Sequence, residues 1–242
     1  MYYDGYLPDF NSSAIDFKTR YMRMIDNLQK TGYGIYAKYR CFKFAKGKIN
    51  PVKNPDPICV DELFCYEMQR EKVYNNTRAF LAGKPAADVF LYGDAGTGKS
   101  VTVKAIVNEL FPEGLRIVEV RKDQMRMIGN LMNELSEYPL KFIVFIDDLS
   151  FTENDDAFSG LKAILEGSVT ARPHNILIYA TSNRRHVVKE TFSDREGDEI
   201  HRNDTIQETV SLSERFGLQI TYGKPDKKTY LEIVTHLCGK AG

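Results

Sequence analysis

Residues 93–100 read Gly-Asp-Ala-Gly-Thr-Gly-Lys-Ser, three glycines and a lysine–serine pair within eight positions. Glycine lets the main chain take turns closed to other residues, so successive N–H groups can converge on one small volume that suits an anion. The stretch follows the run Asp88-Val-Phe-Leu-Tyr92 and precedes the helical pattern Val101–Leu110. It therefore belongs at a helix N-terminus, where the backbone favours negative charge. The chemistry this spacing supplies is a cradle for nucleotide phosphates. Gly93, Asp94, Ala95, Gly96, Thr97, Gly98 and Val101 would line it, Lys99 would reach the β/γ oxygens and Ser100 would hold Mg²⁺.

Two carboxylates complete such a site. Phe142-Ile-Val-Phe-Ile146 is apolar throughout and runs straight into Asp147 and Asp148. A buried strand here would carry both acids to its end, beside the glycine loop. Asp147 is then expected to bind Mg²⁺ directly or through water, and Asp148 to polarise an attacking water as general base. The next apolar run continues through Tyr179-Ala-Thr-Ser to Asn183, whose amide is placed to hydrogen-bond that water or the γ-phosphate. Ser211-Leu-Ser-Glu-Arg-Phe-Gly217 sets Arg215 just before the last strand. An arginine donated across a subunit boundary stabilises charge on a transferring phosphoryl group. Arg184 and Arg185 follow Asn183 directly and compete for that role; Arg215 is preferred. Taken singly, each residue also has a plainer reading, as a polar strand end, a turn asparagine or a surface salt bridge. The order of the four is what points to nucleotide chemistry.

The elements that must position these groups are strands at Val89–Tyr92, Arg116–Val120, Phe142–Ile146, Asn175–Tyr179 and Gly217–Thr221. Helical patterns lie between them at about 100–111, 123–136 and 156–167, the last presenting Phe158, Leu161 and Leu165 on one face. Near-continuous apolar strands separated by helices predict an α/β fold, a mostly parallel five-stranded sheet with helices on both faces. Ligands of such sheets bind at the strands' carboxyl ends. Ahead of this lies an aromatic-rich segment, residues 1–57, ending in Asn50-Pro-Val-Lys-Asn-Pro-Asp-Pro57, whose prolines disfavour a regular element and mark a linker. Asp61 is expected to cap a helix carrying Val73, Thr77, Phe80 and Leu81, with Gly83 as its stop.

Lysine plus arginine and aspartate plus glutamate each number 33, so no overall positive field advertises nucleic acid or an anionic membrane. Lys38-Tyr-Arg-Cys-Phe-Lys-Phe44 does interleave bases with aromatics, as in single-strand binders, but a half-buried strand or packing arm is the preferred reading. The four cysteines, Cys41, Cys59, Cys65 and Cys238, lack the paired spacing of a zinc site or a disulfide framework. His201, within the charged run 193–204, is read as part of a solvated loop. The N-terminus shows no basic-then-apolar leader, and no apolar run approaches membrane-spanning length. A soluble, cytoplasmic protein is expected.

In the order Gly93–Ser100, Asp147/Asp148, Asn183, Arg215, the chain resembles the Walker A, Walker B, sensor 1 and arginine-finger series of AAA+ ATPases. Phe145-Ile-Asp-Asp-Leu-Ser-Phe151, Leu161-Lys-Ala-Ile-Leu-Glu-Gly167, Tyr179-Ala-Thr-Ser-Asn-Arg-Arg-His186 and Ser211–Gly217 resemble more narrowly a bacterial AAA+ family known only as a domain of unknown function. That likeness covers about residues 38–235. Replication initiators and helicase loaders are similar at greater distance, sharing the paired aspartates and the Arg-Phe element. The resemblance implies a P-loop NTPase core at 58–223 that uses ATP and Mg²⁺ and assembles as a homo-oligomer through Arg215 in trans. It further implies a protein or nucleic-acid client and no membrane. Ile58 to Cys65 would wrap the adenine.

Two departures from the family pattern stand out. Asp148 occupies the place of the usual glutamate and is one methylene shorter. Residues 224–242 supply only the first helix of a C-terminal lid, at Lys227–Leu237, so the lid is incomplete, whether through truncation or by design, and no sensor 2 residue is assigned. The expected activity is ATP hydrolysis driving the remodelling or loading of a client. The alternative is a nucleotide-gated binding module or scaffold with little turnover. A small-molecule kinase is disfavoured because no acceptor pocket is recognisable.

Overall fold

The computed structural model describes residues 16–149, 161, 164–165, 173–183 and 213–241. Their centre is one sheet of seven strands: β1 (Cys41–Ala45), β2 (Lys48–Pro51), β3 (Val89–Gly93), β4 (Leu115–Val120), β5 (Lys141–Ile146), β6 (Ile176–Ser182) and β7 (Leu218–Tyr222). The spatial order is β2-β1-β4-β5-β6-β3-β7, and every pairing is parallel except that of β1 with β2. The α/β class is as expected, with two strands more than the five predicted.

Both extra strands come from the N-terminal stretch. Along β1, Phe42 and Phe44 are buried while Lys43 is exposed, the period-two pattern of a strand with one covered face. Phe42 and Phe44 are thus core residues with Tyr39 packed partly buried against the core, which fits the half-buried-strand reading. β2 includes Asn50 and Pro51, where the prolines had argued against any regular element. It is an edge strand, where a residue lacking an N–H is tolerated.

Seven helices are described: α1 (Phe17–Asp26), α2 (Leu28–Thr31), α3 (Ile35–Lys38), α4 (Glu67–Leu81), α5 (Lys99–Leu110), α6 (Ile128–Ser136) and α7 (Lys227–Ala241). The strands alternate their side chains between two cores. Phe142, Val144 and Ile146 of β5 join Ile128, Leu131 and Leu135 of α6 on one face. Ile143 and Phe145 join Val73 and Phe80 of α4 and Val103, Ile106 and Leu110 of α5 on the other. Burial on both faces explains the near-continuous apolar strands.

α4 begins at Glu67, not at Asp61. Asp61 lies in a separate 3-10 turn, Val60–Glu62, which closes because the Glu62 carboxylate accepts the Cys59 N–H at 2.7 Å. Gly83 does follow the helix end in a left-handed conformation, φ +68°. The 123–136 pattern divides into a 3-10 stretch, Lys122–Met127, followed by α6. Of the helix expected at 156–167, Leu161, Ile164 and Leu165 are helical and the remainder, Phe158 included, lies outside the described residues. So do Arg184, Arg185 and the charged run with His201.

Candidate functional site

β3 ends in Gly93, whose φ is +135° and whose Cβ, were there one, would stand 2.0 Å from the Tyr222 carbonyl oxygen of β7. Only glycine permits so close an approach. It lets Asp94 N–H donate to that same carbonyl at 3.0 Å, which fixes the stem of the loop. At the far end Gly98 takes a left-handed φ of +87° as the N-cap of α5 and provides no side-chain cap. The first N–H groups of α5, those of Lys99, Ser100 and Val101, therefore face the loop without an intrahelical partner, and the helix dipole adds positive charge there.

Lys99 is 4% exposed. Its ammonium donates to the carbonyls of Gly93 (3.2 Å) and Asp94 (2.6 Å), which curls the side chain back over the loop. Burial holds its pKa below the usual lysine value, with the charges of Asp94, Asp148 and Asp147 opposing that shift. Thr97 braces the turn by donating to the Asp94 carbonyl at 2.8 Å.

The acids stand at the end of β5, and β6 lies between β5 and β3. Ser100 Oγ donates to Asp147 Oδ1 at 2.5 Å, joining residues 47 positions apart. The same oxygen accepts Thr181 Oγ1 at 2.6 Å. Asp148 has φ +55°, a left-handed conformation in a residue with a Cβ, costing on the order of 1 kcal/mol or more. Its N–H donates to Thr181 Oγ1 at 2.9 Å, and the following N–H, of Leu149, donates to the Thr181 carbonyl at 2.6 Å. Asn183 Nδ2 donates to Asp148 Oδ1 at 2.9 Å. The loop, both aspartates and Asn183 thus meet at one edge. Thr181, which belongs to the same cluster, was not singled out by sequence. The signal for it was the polar pair Thr181-Ser182 inside an otherwise apolar strand.

Arg215 is exposed and lies three residues before β7. β7 runs parallel to β3, with Val89 opposite Leu218 and Gly93 opposite Tyr222. Arg215 is therefore at the amino edge, and the length of a five-residue strand, roughly 16 Å at about 3.3 Å per residue, separates it from its own chain's loop. The Ile58–Cys65 strap packs along α5. Asn108 Nδ2 donates to the carbonyls of Asp56 and Ile58, both at 2.8 Å. Past the strap, Tyr66 reaches the stem of α7, its hydroxyl donating to the Gly223 carbonyl at 2.6 Å.

A buried ammonium held by two carbonyls, with uncapped helix N–H groups beside it, is a setting that a phosphate fits. Ser100 and Asp147 offer hard oxygens suited to Mg²⁺, a cation that takes few protein ligands and keeps water and phosphate for the rest. No cluster of three or more His, Cys, Asp or Glu side chains able to hold a metal occurs among the described residues. No helix among them is long and apolar enough to cross a membrane.

The fold and the clustered edge define a P-loop α/β protein of the AAA+ type. The chain belongs to the family described as a protein of unknown function, DUF815, whose model matches residues 37–242. It is also similar to the 26S proteasome regulatory subunit 4 homolog of Schizosaccharomyces pombe, 28% identical over 161 residues. That match takes in 63% of this chain and 34% of the relative, so the chain spans about a third of that protein's length.

Proposed function

We propose that this chain is an AAA+ ATPase module, which binds Mg·ATP at the carboxyl edge of its sheet and hydrolyses it to ADP and phosphate to drive the remodelling or loading of a client. The observation that carries the reading is the contact of Ser100 Oγ with Asp147 Oδ1, across β6 and beside the buried Lys99. The likeness to a proteasome regulatory subunit supports it further.

In this reading Lys99 and the N–H groups at the start of α5 hold the phosphates, and Ser100 and Asp147 hold Mg²⁺. When bound, Mg²⁺ would neutralise charge on the β/γ oxygens. Asp148 takes the proton as water forms a bond to the γ-phosphorus and the bond from that phosphorus to the β–γ bridging oxygen breaks. Asn183 holds the carboxylate of Asp148 by the hydrogen bond described. The remoteness of Arg215 from its own loop supports its delivery from a neighbouring copy, and hence a homo-oligomer. Asp148→Asn should lower steady-state phosphate release by about a hundredfold with ATP affinity unchanged. Equal turnover in the two proteins would remove Asp148 from the chemistry.

The short reach of Asp148, whose Oδ1 already accepts Asn183, favours one second reading, a nucleotide-gated scaffold. That protein would bind ATP tightly and release no phosphate at any concentration of protein.

A further inference from the structure

We propose that Thr181 is the positioning residue of this site: its hydroxyl sets the metal-facing orientation of Asp147 and the water-facing orientation of Asp148 at once. The proposal rests on the Mg·ATP reading above and concerns this chain's own groups.

The direction of each hydrogen bond follows from the atoms. The Asp148 N–H can only donate, so in their 2.9 Å contact Thr181 Oγ1 must accept. The hydroxyl proton is thereby free to point at Asp147 Oδ1, 2.6 Å away, and an ionised carboxylate oxygen is the stronger acceptor for it. Asp147 Oδ1 accepts Ser100 Oγ as well. Two donors on one oxygen pin the plane of the carboxylate and leave Oδ2 uncommitted to either of them.

The second half of the role concerns the backbone. Two successive N–H groups, of Asp148 and Leu149, end on the hydroxyl and the carbonyl of this one residue. That pair of bonds keeps Asp148 in its left-handed conformation, φ +55°, the conformation from which its carboxylate meets Asn183. Thr181 is 2% exposed and sits in the middle strand of the three that build the edge. It has no surface from which to touch a nucleotide itself, so its effect passes through the two aspartates.

Thr181→Val removes the hydroxyl at nearly constant volume, and Thr181→Ser keeps the hydroxyl while removing the methyl. The first readout is Mn²⁺ binding in the presence of a non-hydrolysable ATP analogue, followed by electron paramagnetic resonance. The half-saturating Mn²⁺ concentration should rise about tenfold in the valine variant and stay within about twofold in the serine variant, the scale of effect for groups that orient a ligating carboxylate. Analogue affinity in EDTA should match the parent in both. The second readout is turnover, where Thr181→Val should lose about 10- to 100-fold in kcat with KM within about threefold, and Thr181→Ser should recover it. A valine variant equal to the parent in both readouts overturns the proposal. So does a serine variant as impaired as the valine one, or an equal loss of affinity in EDTA, since either marks a residue that merely supports the fold. A parent that binds Mn²⁺ with nucleotide but releases no phosphate defeats the hydrolysis reading alone, and the metal readout then decides on Thr181. A parent that binds no nucleotide defeats both.

Discussion

At the amino edge of the sheet, Arg116 places all five guanidinium N–H groups on main-chain carbonyls, those of Tyr36, Phe111, Leu115, Lys30 and Thr31. At the carboxyl edge, Lys99 gives its ammonium, which has three N–H groups, to only two such carbonyls. Both cations are buried, Arg116 at 1% exposure and Lys99 at 4%. Three of the carbonyls held by Arg116 belong to the C-terminal ends of α2 and α5, where the helix dipole is negative, so its charge is compensated without a carboxylate. Other donors at the amino edge also end on backbone: Asn175 Nδ2 lies within hydrogen-bond distance of the carbonyls of Leu135, Tyr138 and Leu140, its Oδ1 being left without a partner among the described residues, and Lys141 donates to the carbonyl of His174. At the carboxyl edge the side chains bond one another instead: Ser100 to Asp147, Thr181 to Asp147, Asn183 to Asp148. A buried cation whose donors all end on backbone closes structure, whereas one with a donor left over, beside side chains that bond one another, is equipped for a ligand. Residue type and burial alone would not have separated the two.

The sharpest way to break this contrast is to delete each cation. Arg116→Leu leaves five carbonyls without their donor, and stability should fall by about 3 kcal/mol or more, read by urea unfolding. ATP affinity per folded molecule should stay at the parent value. Lys99→Ala should do the reverse, weakening ATP binding by about a hundredfold, equivalent to about 2.7 kcal/mol, while unfolding stability holds or rises because a desolvated charge has gone. Calorimetric titration with Mg·ATP measures it. If Arg116→Leu abolished binding in folded protein, or Lys99→Ala unfolded the chain, the division between the edges would fail.

A smaller effect tests the core between them. Tyr179, fully buried, is hydrogen-bonded to Thr77 (2.7 Å) and Asn76 (3.1 Å), and burial pushes its pKa from 10.0 up to about 12. A folded pKa above the unfolded one means the stabilisation is whole below pH 10 and is lost as pH climbs towards 12. By pH 11 the loss is about 1.4 kcal/mol. Tyr179→Phe should therefore show a drop in stability from pH 9 to pH 11 that is smaller than the parent's by that amount, in urea titrations at both values. An identical drop would show that the phenol does not titrate in this window.

The parts of this architecture legible in the sequence are those whose information is local. Gly93–Ser100 declares its turns through glycine, and β5 declares itself as an apolar run ending in two acids; β1 stays open between a half-buried strand and a packing arm. What stayed hidden depends on partners distant in sequence. Pro51 looks like a breaker until an edge position makes its missing N–H harmless. Arg116 looks like the flank of a strand because nothing nearby announces the carbonyls arriving from residues 30, 31 and 36. Thr181 is an ordinary strand former by type, and its hydroxyl acquires meaning only from the turn after β5. α4 starts at Glu67 and not at Asp61 because Glu62 satisfies Cys59 in a local turn that takes up Asp61 and Glu62.

Tyr222 ends β7 opposite Gly93. Its carbonyl takes the Asp94 N–H, and the next residue, Gly223, takes the hydroxyl of Tyr66. Four residues later α7 begins. The glycine turn and the start of α4 are thus tied to two consecutive residues at the end of β7. The glycine turn and the segment leading to α7 therefore share one anchoring point at the end of β7.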